Sequence, residues 1–382
     1  GLDRVETQLD GFTAELAAEH TGIDAESIRT IARDLATADR AICYGRMGVS
    51  TQSFGALCQW LIQIINIVTG NLDREGGSLF TLPAVDQVRN ASPGGFGRHT
   101  SRVRGLPEFD RELPASTMAE EITTPGENQI RVMFTGAGNP VLSTPNGAQL
   151  DEALEQLDFM VSLDPYLNET TRHADIILPP TSALEHDHYD MAFHVNSIRN
   201  TARYNEPVFE KPEGSLHDWE IFTELGRRVA KILDAEDRPP ATPAEMMDAA
   251  IKAGPYSEWR GSPHALTLQK VKEHQSGIDL GPLEPQLPGR LRTQDKRIYC
   301  DTPEPMGDLD RLRKKFSAKS SPDELLLIGR RHLRDCNSWM HNFQRLVKGD
   351  NRCTLMMNPH DLESRKLSEG DLVRVESRAG GV

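Results

Sequence analysis

The sequence predicts an α/β protein: doubly wound parallel-sheet domains with the start of a C-terminal β-barrel domain. Three observations predict it. Arg131–Thr135 and Phe159–Leu163 are short apolar runs of strand character that flank a helical pattern, which makes one βαβ unit. A second helix–strand–helix succession runs from Ile23 to Val68. Near the chain's end, Leu325–Ile328 and Leu372–Glu376 read as short strands separated by the Pro359–Leu367 segment and a Glu369–Asp371 turn, as in a β-rich barrel.

In chain order, Ile23–Arg40 is a helix that Asp24 can cap, with Ile23 and Ile28 as a hydrophobic staple and Ile28, Ile31, Ala32 and Leu35 on one face. Ala41–Tyr44 follows as a buried strand, Gly45–Gln52 as the turn at its carboxyl end, and Phe54–Val68 as the next helix. Pro83–Gly126 loses periodicity and gathers glycine and proline, so an irregular connection is expected. Arg131–Thr135 then ends in Gly136, Gly138 and Pro140, residues suited to a sharp turn with close backbone approach to a ligand. Leu150, Ala153, Leu154 and Leu157 mark a helix. Phe159–Leu163 is the second strand, ending at Asp164, and Asp175–Pro179 the third parallel strand. Ser215–Leu233 is an amphipathic helix through Trp219, Phe222, Val229 and Ile232. The expected organisation is an α/β domain's end at 1–82, an irregular connection at 83–127, an α/β cofactor-binding domain at 128–235, a connecting and covering segment at 236–323, and the barrel's start at 324–382.

Composition narrows the function. A net charge of −14 over 382 residues excludes a nucleic-acid scaffold, which needs a concentrated basic surface. The longest apolar run, Trp60–Val68, is broken by Gln63 and Asn66 and is far too short to span a bilayer, so no membrane insertion is expected of this segment. Cys43, Cys58, Cys300, Cys336 and Cys353 are dispersed and form no metal-ligand spacing, which fits a reducing compartment, the cytoplasm rather than the periplasm. Cys43 and Cys58 read as buried core thiols. Gly1 reads as an interior residue and the chain as a fragment cut at both ends.

In an open parallel sheet, ligands bind beyond the carboxyl ends of the strands, so the Gly136–Asn139 turn and Asp164 should share one crevice. Backbone N–H groups there can hold phosphates and Asp164 a sugar or base edge. The glycines alone do not decide between a ligand site and a plain turn. A nicotinamide fingerprint wants a third glycine where Val141 stands, so a nicotinamide-dependent dehydrogenase is an unfavoured alternative. The His186-x-His188 pair lacks a third ligand and reads as a polar turn rather than a metal site.

Four segments together carry a resemblance: Tyr44–Gln52 with Thr69–Gly77 (TGNLDREGG), Gly136–Pro145 (GAGNPVLSTP), Leu163–Asp187 (LDPYLNETTRHADIILPPTSALEHD) and Gly329–Asn342 (GRRHLRDCNSWMHN). In order and spacing the chain resembles the large molybdopterin oxidoreductases of the dimethyl sulfoxide reductase family, such as the catalytic subunits of formate dehydrogenase and nitrate reductase. The resemblance covers nearly the whole chain. It implies a bis-molybdopterin guanine dinucleotide cofactor with molybdenum or tungsten, and a 4Fe-4S cluster in the full-length protein. It also implies a two-electron reaction on a small-molecule substrate, formate first and nitrate second, with an electron-transfer subunit or small redox carrier as partner.

Residue by residue, the resemblance places Gly138 and Asn139 at the turn that approaches the pterin and Asp164 where a carboxylate reads guanine. Met47 matches a family methionine. The family's glutamine follows it by four residues, whereas Thr51 stands at four and Gln52 at five, so both remain candidates. His186, after Glu185, replaces a lysine and keeps a donor without a permanent charge. Asp218 matches a cofactor-region aspartate and equally fits a helix cap. Arg331, Asn337, Ser338 and His341 match polar contacts to phosphate or pterin. The metal ligand and the cluster cysteines would precede Gly1, so no catalytic residue is assigned within this chain. The remaining alternative is a non-catalytic relative acting as an electron-transfer subunit or scaffold, like the large Complex I subunit.

Overall fold

A computed structural model describes residues 1–90, 94–235, 240–317, 325–350 and 352–382. The chain folds into two compact units, each assembled from three separated stretches: 1–91, 187–206 and 241–326 in the first, 92–186, 207–240 and 327–382 in the second. The domain boundaries expected at 236, 323 and 324 lie outside the described residues.

The second unit contains the parallel sheet. Val132–Gly136 pairs with Phe159–Leu163 through five consecutive residue pairs, from Val132 opposite Phe159 to Gly136 opposite Leu163. Ile176–Ile177 adds the third strand beside Val161 and Ser162. Successive side chains alternate between faces. Met133 and Met160 point to one face and pack with Val141, Leu150, Ala153 and Leu154 of the helices that follow the first strand, together with Ala119 and Ile122. Val161 and Leu163 point to the other and meet Ile221 and Leu225 of the Asp218–Ile232 helix. Helices therefore cover both faces, the doubly wound arrangement the apolar pattern calls for. Gly136 lies under that second helix: a Cβ there would stand 3.4 Å from the Phe222 ring, in van der Waals contact.

In the first unit, Ala25–Thr37 forms as expected, with the Asp24 carboxylate accepting the Ser27 N–H at 2.9 Å. Gly55–Val68 buries Leu57 and Ile64, and Trp60 donates its indole N–H to the Cys300 carbonyl at 2.9 Å. A larger core gathers Ala202, Tyr204, Ile251, Leu266, Val271 and Leu280 around a short antiparallel pair, Asn200–Ala202 with Ile278–Gly281.

Four expectations are corrected. Ala41–Tyr44 forms no strand. No strand lies beside it among the described residues; instead the Asn66 side chain accepts the Cys43 N–H at 2.9 Å and donates to the Cys43 carbonyl at 2.8 Å, doing for one residue what a neighbouring strand does for many. Cys43 and Cys58 are accordingly half-buried rather than sealed in a core. The stretch expected to be irregular contains a paired Phe96–Thr100 and Pro107–Phe109 and a Met118–Thr123 helix. Its order comes from buried charge: Glu108 takes Arg98 at 3.0 Å, and Arg102 donates to the Thr124 carbonyl at 2.7 Å. Finally, Leu325–Ile328 is exposed and pairs with no strand among the described residues, and only Glu376–Ser377 of the last run is a strand, paired with Gly380–Gly381. No closed barrel is present among the described residues, because a strand needs a partner ladder and apolar sequence alone supplies none.

Candidate functional site

The carboxyl ends of the three parallel strands open on one edge of the sheet, and each delivers a polar group. After the first strand, the Ala137 N–H bonds the Leu163 carbonyl at 2.8 Å, tying the turn to the neighbouring strand's end. Ala137 (φ 55°) and Gly138 (φ 77°) both adopt the left-handed conformation and are exposed. Among the described residues no acceptor meets the N–H groups of Gly138 and Asn139. Pro140 then starts the Pro140–Ser143 helix at the position where a missing N–H costs nothing.

Asn139 is buried and its amide is engaged on both sides. It donates to Glu169 at 2.7 Å and accepts the Thr170 hydroxyl at 2.7 Å. The Thr170 hydroxyl oxygen also accepts the Val141 N–H at 3.1 Å. The side chain therefore locks the glycine turn to the 168–171 turn, and what it leaves to a ligand is backbone. The Asn139 hydrogen bond is the first cause holding the Glu169 carboxyl below its usual range. Asp151 pins the same turn from below: Arg172 and then His173 hold its carboxyl down through hydrogen bonds.

At the second strand's end, Asp164 is 6 % exposed. One oxygen accepts the Tyr166 N–H at 2.8 Å, and the other meets the Asn168 amide at 3.4 Å. A carboxylate offers about four lone-pair sites, so capacity remains after both contacts.

At the third strand's end, the Thr181 hydroxyl sits 2.6 Å from His186 Nε2 and 2.6 Å from His217 Nδ1, with the two rings 4.3 Å apart. The network assigns the tautomers. His186 Nε2 also lies 3.2 Å from the Thr181 carbonyl, which can only accept, so that nitrogen carries hydrogen and the hydroxyl donates to His217. His217 caps the Asp218–Ile232 helix in a box with Glu220, whose carboxylate accepts the His217 N–H at 2.7 Å. Asp218 is exposed and accepts the N–H of Trp219 at 2.8 Å; the capping position is one residue earlier than the sequence indicates.

The structure thus brings Gly138, Asn139, Asp164, His186 and Asp218 to one edge. The remaining candidates belong to other stretches of the chain. Met47, Thr51 and Gln52 belong to the first unit, exposed at the short Met47–Ser50 helix, with Thr51 bonding the Met47 carbonyl and Gln52 the Gly48 carbonyl, both at 2.9 Å. Arg331, Asn337 and His341 are exposed and Ser338 half-buried in a separate stretch, where Asn337 (φ 56°) is left-handed and His341 pairs with Asp335 at 3.2 Å. His186 and His188 make no metal cluster among the described residues. Thr170, Thr181, Glu169 and His217 were not singled out from sequence: His217 meets Thr181 across 36 residues, and no local pattern carries that.

Residues 8–228 match the family described as molybdopterin oxidoreductase, and residues 325–382 match the molybdopterin dinucleotide binding domain. The chain is 28 % identical to the probable oxidoreductase YjgC of Bacillus subtilis over 67 % of its own length and 26 % of that protein's. It is 26 % identical to the F420-dependent formate dehydrogenase subunit alpha of Methanocaldococcus jannaschii over 100 % of the chain and 56 % of the relative. A putative formate dehydrogenase of Staphylococcus haemolyticus is 30 % identical over 63 % of the chain and 25 % of that protein. The chain spans from about a quarter to about half of these relatives' length. Acetylene hydratase from Pelobacter acetylenicus shares the fold, with a TM-score of 0.51 at 16 % identity over 75 % of this chain and 41 % of that one.

Proposed function

Because the chain belongs to the molybdopterin oxidoreductase family of the dimethyl sulfoxide reductase type, we propose that it is the cofactor-orienting part of a bis-molybdopterin guanine dinucleotide enzyme. The observation that carries this reading is the convergence of a turn with two available N–H groups, a strand-end carboxylate and an imidazole pair on one sheet edge. That donor set fits the cofactor. Backbone N–H groups suit phosphate, and a carboxylate can accept two N–H bonds from the guanine edge. Gly138 and Asn139 would offer the N–H groups, Asp164 would hold guanine, and His186, Asp218, Arg331, Asn337, Ser338 and His341 would add polar contacts; in the first unit Met47 and Thr51 or Gln52 would do the same.

When bound, the cofactor supplies a two-electron redox centre of molybdenum or tungsten. The protein's part is to hold and orient it. Formate is the proposed substrate, supported by the relatives named as formate dehydrogenases, with nitrate second. A 4Fe-4S cluster in the whole protein would pass electrons to a partner subunit or small carrier, a reading supported by the "subunit alpha" in one relative's name. No helix among the described residues is long and apolar enough to cross a membrane.

The test is Asp164→Asn beside Asp164→Ala in the full-length enzyme. Asparagine keeps an acceptor for the Tyr166 N–H, so the turn survives, while the carboxylate's two-point acceptance of guanine is gone. The expected result is a drop of about tenfold in bound molybdenum (or tungsten) and in GMP released by acid, with an unchanged melting temperature for the asparagine variant. Full cofactor content in a folded variant would remove Asp164 from the site. A wild-type enzyme with no metal and no GMP would instead identify a non-catalytic relative.

A further inference from the structure

The first unit contains a cavity of about 560 Å³ whose lining is unlike the rest of the chain. Its described lining residues include Arg89, Arg290, Arg292 and Lys296 and, among them, no acidic side chain, in a protein whose net charge is −14. Leu82 and Leu291 supply apolar wall. Just behind the lining, Asp86, 3 % exposed, takes Arg290 through two bonds at 2.8 and 3.1 Å and accepts the Arg89 N–H at 3.1 Å. That carboxylate pairs with Arg290 and holds the turn that carries Arg89, and its single charge is outweighed by those two guanidinium groups together with Lys296. Lys296 donates to the Leu291 carbonyl, a neutral partner that orients the ammonium without cancelling it.

A surplus of oriented positive charge in a concave site is an arrangement for an anion. The volume falls within the roughly 300–1,000 Å³ of small-molecule sites and exceeds what formate or nitrate would fill. Guanidinium groups match phosphate oxygens in geometry as well as charge. We propose that this cavity binds a phosphate-bearing ligand, held by Arg89, Arg290 and Lys296. Two sources share that chemistry: a soluble phosphate compound, or the phosphates of the dinucleotide cofactor. The second source rests on the function proposed above; the first stands without it.

Equilibrium dialysis of inorganic pyrophosphate against the full-length holoenzyme separates them, with metal and GMP content measured on the same samples. The variants are Arg89→Gln, Lys296→Gln and the double change, each checked for an unchanged melting temperature; Asp86 and Arg290 are left intact because their pairing is internal. A soluble source predicts saturable pyrophosphate binding by the wild type, weakened about tenfold in the double variant at unchanged cofactor content. A cofactor source predicts no pyrophosphate binding by the wild-type holoenzyme and cofactor loss in the double variant. Should the single variants alone fold, the same changes are expected at about threefold. Binding equal in wild type and variants, or no binding together with full cofactor in all of them, overturns the proposal. The Asp164 variants leave pyrophosphate binding untouched if the source is soluble, so failure of one reading is distinguishable from failure of the other.

Discussion

Two stretches of the chain have the same design in sequence and different lives in the structure. Ala41–Gln52 and Arg131–Pro140 each run from an apolar segment into a glycine-bearing turn before a helix. In the second unit the segment is a true strand, held by five pairs to its neighbour. In the first unit it is a segment outside any strand, clasped at one residue by Asn66, which is 2 % exposed. Strand character is a property of the side chains, but strand structure is a property of the neighbour. Where a neighbour exists, the hydrogen bonding is spread along the ladder and no single residue carries it. Where it does not, one buried amide does.

That difference sets the size of three effects. The largest is expected for Asn66→Leu, which strands both the N–H and the carbonyl of Cys43 in a half-buried position. Two lost bonds and two unsatisfied groups predict a cost of about 3 kcal/mol, read as a lower urea midpoint at unchanged slope. A loss under about 1 kcal/mol would mean that packing, rather than the amide, holds the segment, and the contrast between the two regions would fail.

The next effect concerns the second unit's own asparagine. Asn139 also clasps, but it joins two turns, and its amide faces the Glu169 carboxylate at 2.7 Å. Asn139→Asp puts two carboxylates in contact, with an expected cost of about 2 kcal/mol near neutral pH. The sign with pH follows from the wild type. The Glu169 carboxyl is lowered, first by the Asn139 hydrogen bond, so its contribution is present above the unfolded carboxylate range and lost as pH falls through the folded value. In the variant, one of the two carboxyls takes up a proton at higher pH than either would alone, and repulsion is relieved. The gap between wild type and variant should therefore shrink from pH 8 to pH 4.5. A gap independent of pH would show that the loss is steric.

Much of this was readable in advance, and the reasons for the exceptions are physical. Phe159–Leu163 was legible to the residue because all of it but Ser162 is apolar and it is bounded by Asp158 and Asp164. The Ala25–Thr37 helix was legible because Asp24 and the apolar spacing agree. The edge site was legible as backbone, since the glycine turn and a strand-end acid imply each other's position in any parallel sheet. What was not legible is long-range side-chain pairing. Asn139 matches a ligand motif in sequence, yet its amide turned out to be spoken for by Glu169 and Thr170, 30 and 31 residues away. Thr181 and His217 show the same limit. Charge hid order as well: beyond Ala119 and Ile122, which reach the core, 96–123 is organised by Arg98, Arg102, Glu108 and Glu121.

The smallest effect sharpens the comparison from the laddered side. Ser162 is 0 % exposed in the middle strand and accepts the Thr135 hydroxyl at 2.7 Å across the first strand pair. Ser162→Ala removes that bond but leaves the five backbone pairs in place. The expected cost is about 1 kcal/mol, a third of that for Asn66→Leu, although Ser162 is the more deeply buried of the two. Burial is thus not what ranks these positions; what ranks them is whether the backbone has another partner when the side chain goes. Amide hydrogen exchange reads this directly. In Ser162→Ala the Val161 and Leu163 amides should stay as protected as their strand neighbours, whereas in Asn66→Leu the Cys43 amide should exchange freely. Equal loss of protection in both would mean the ladder, too, hangs on a single side chain.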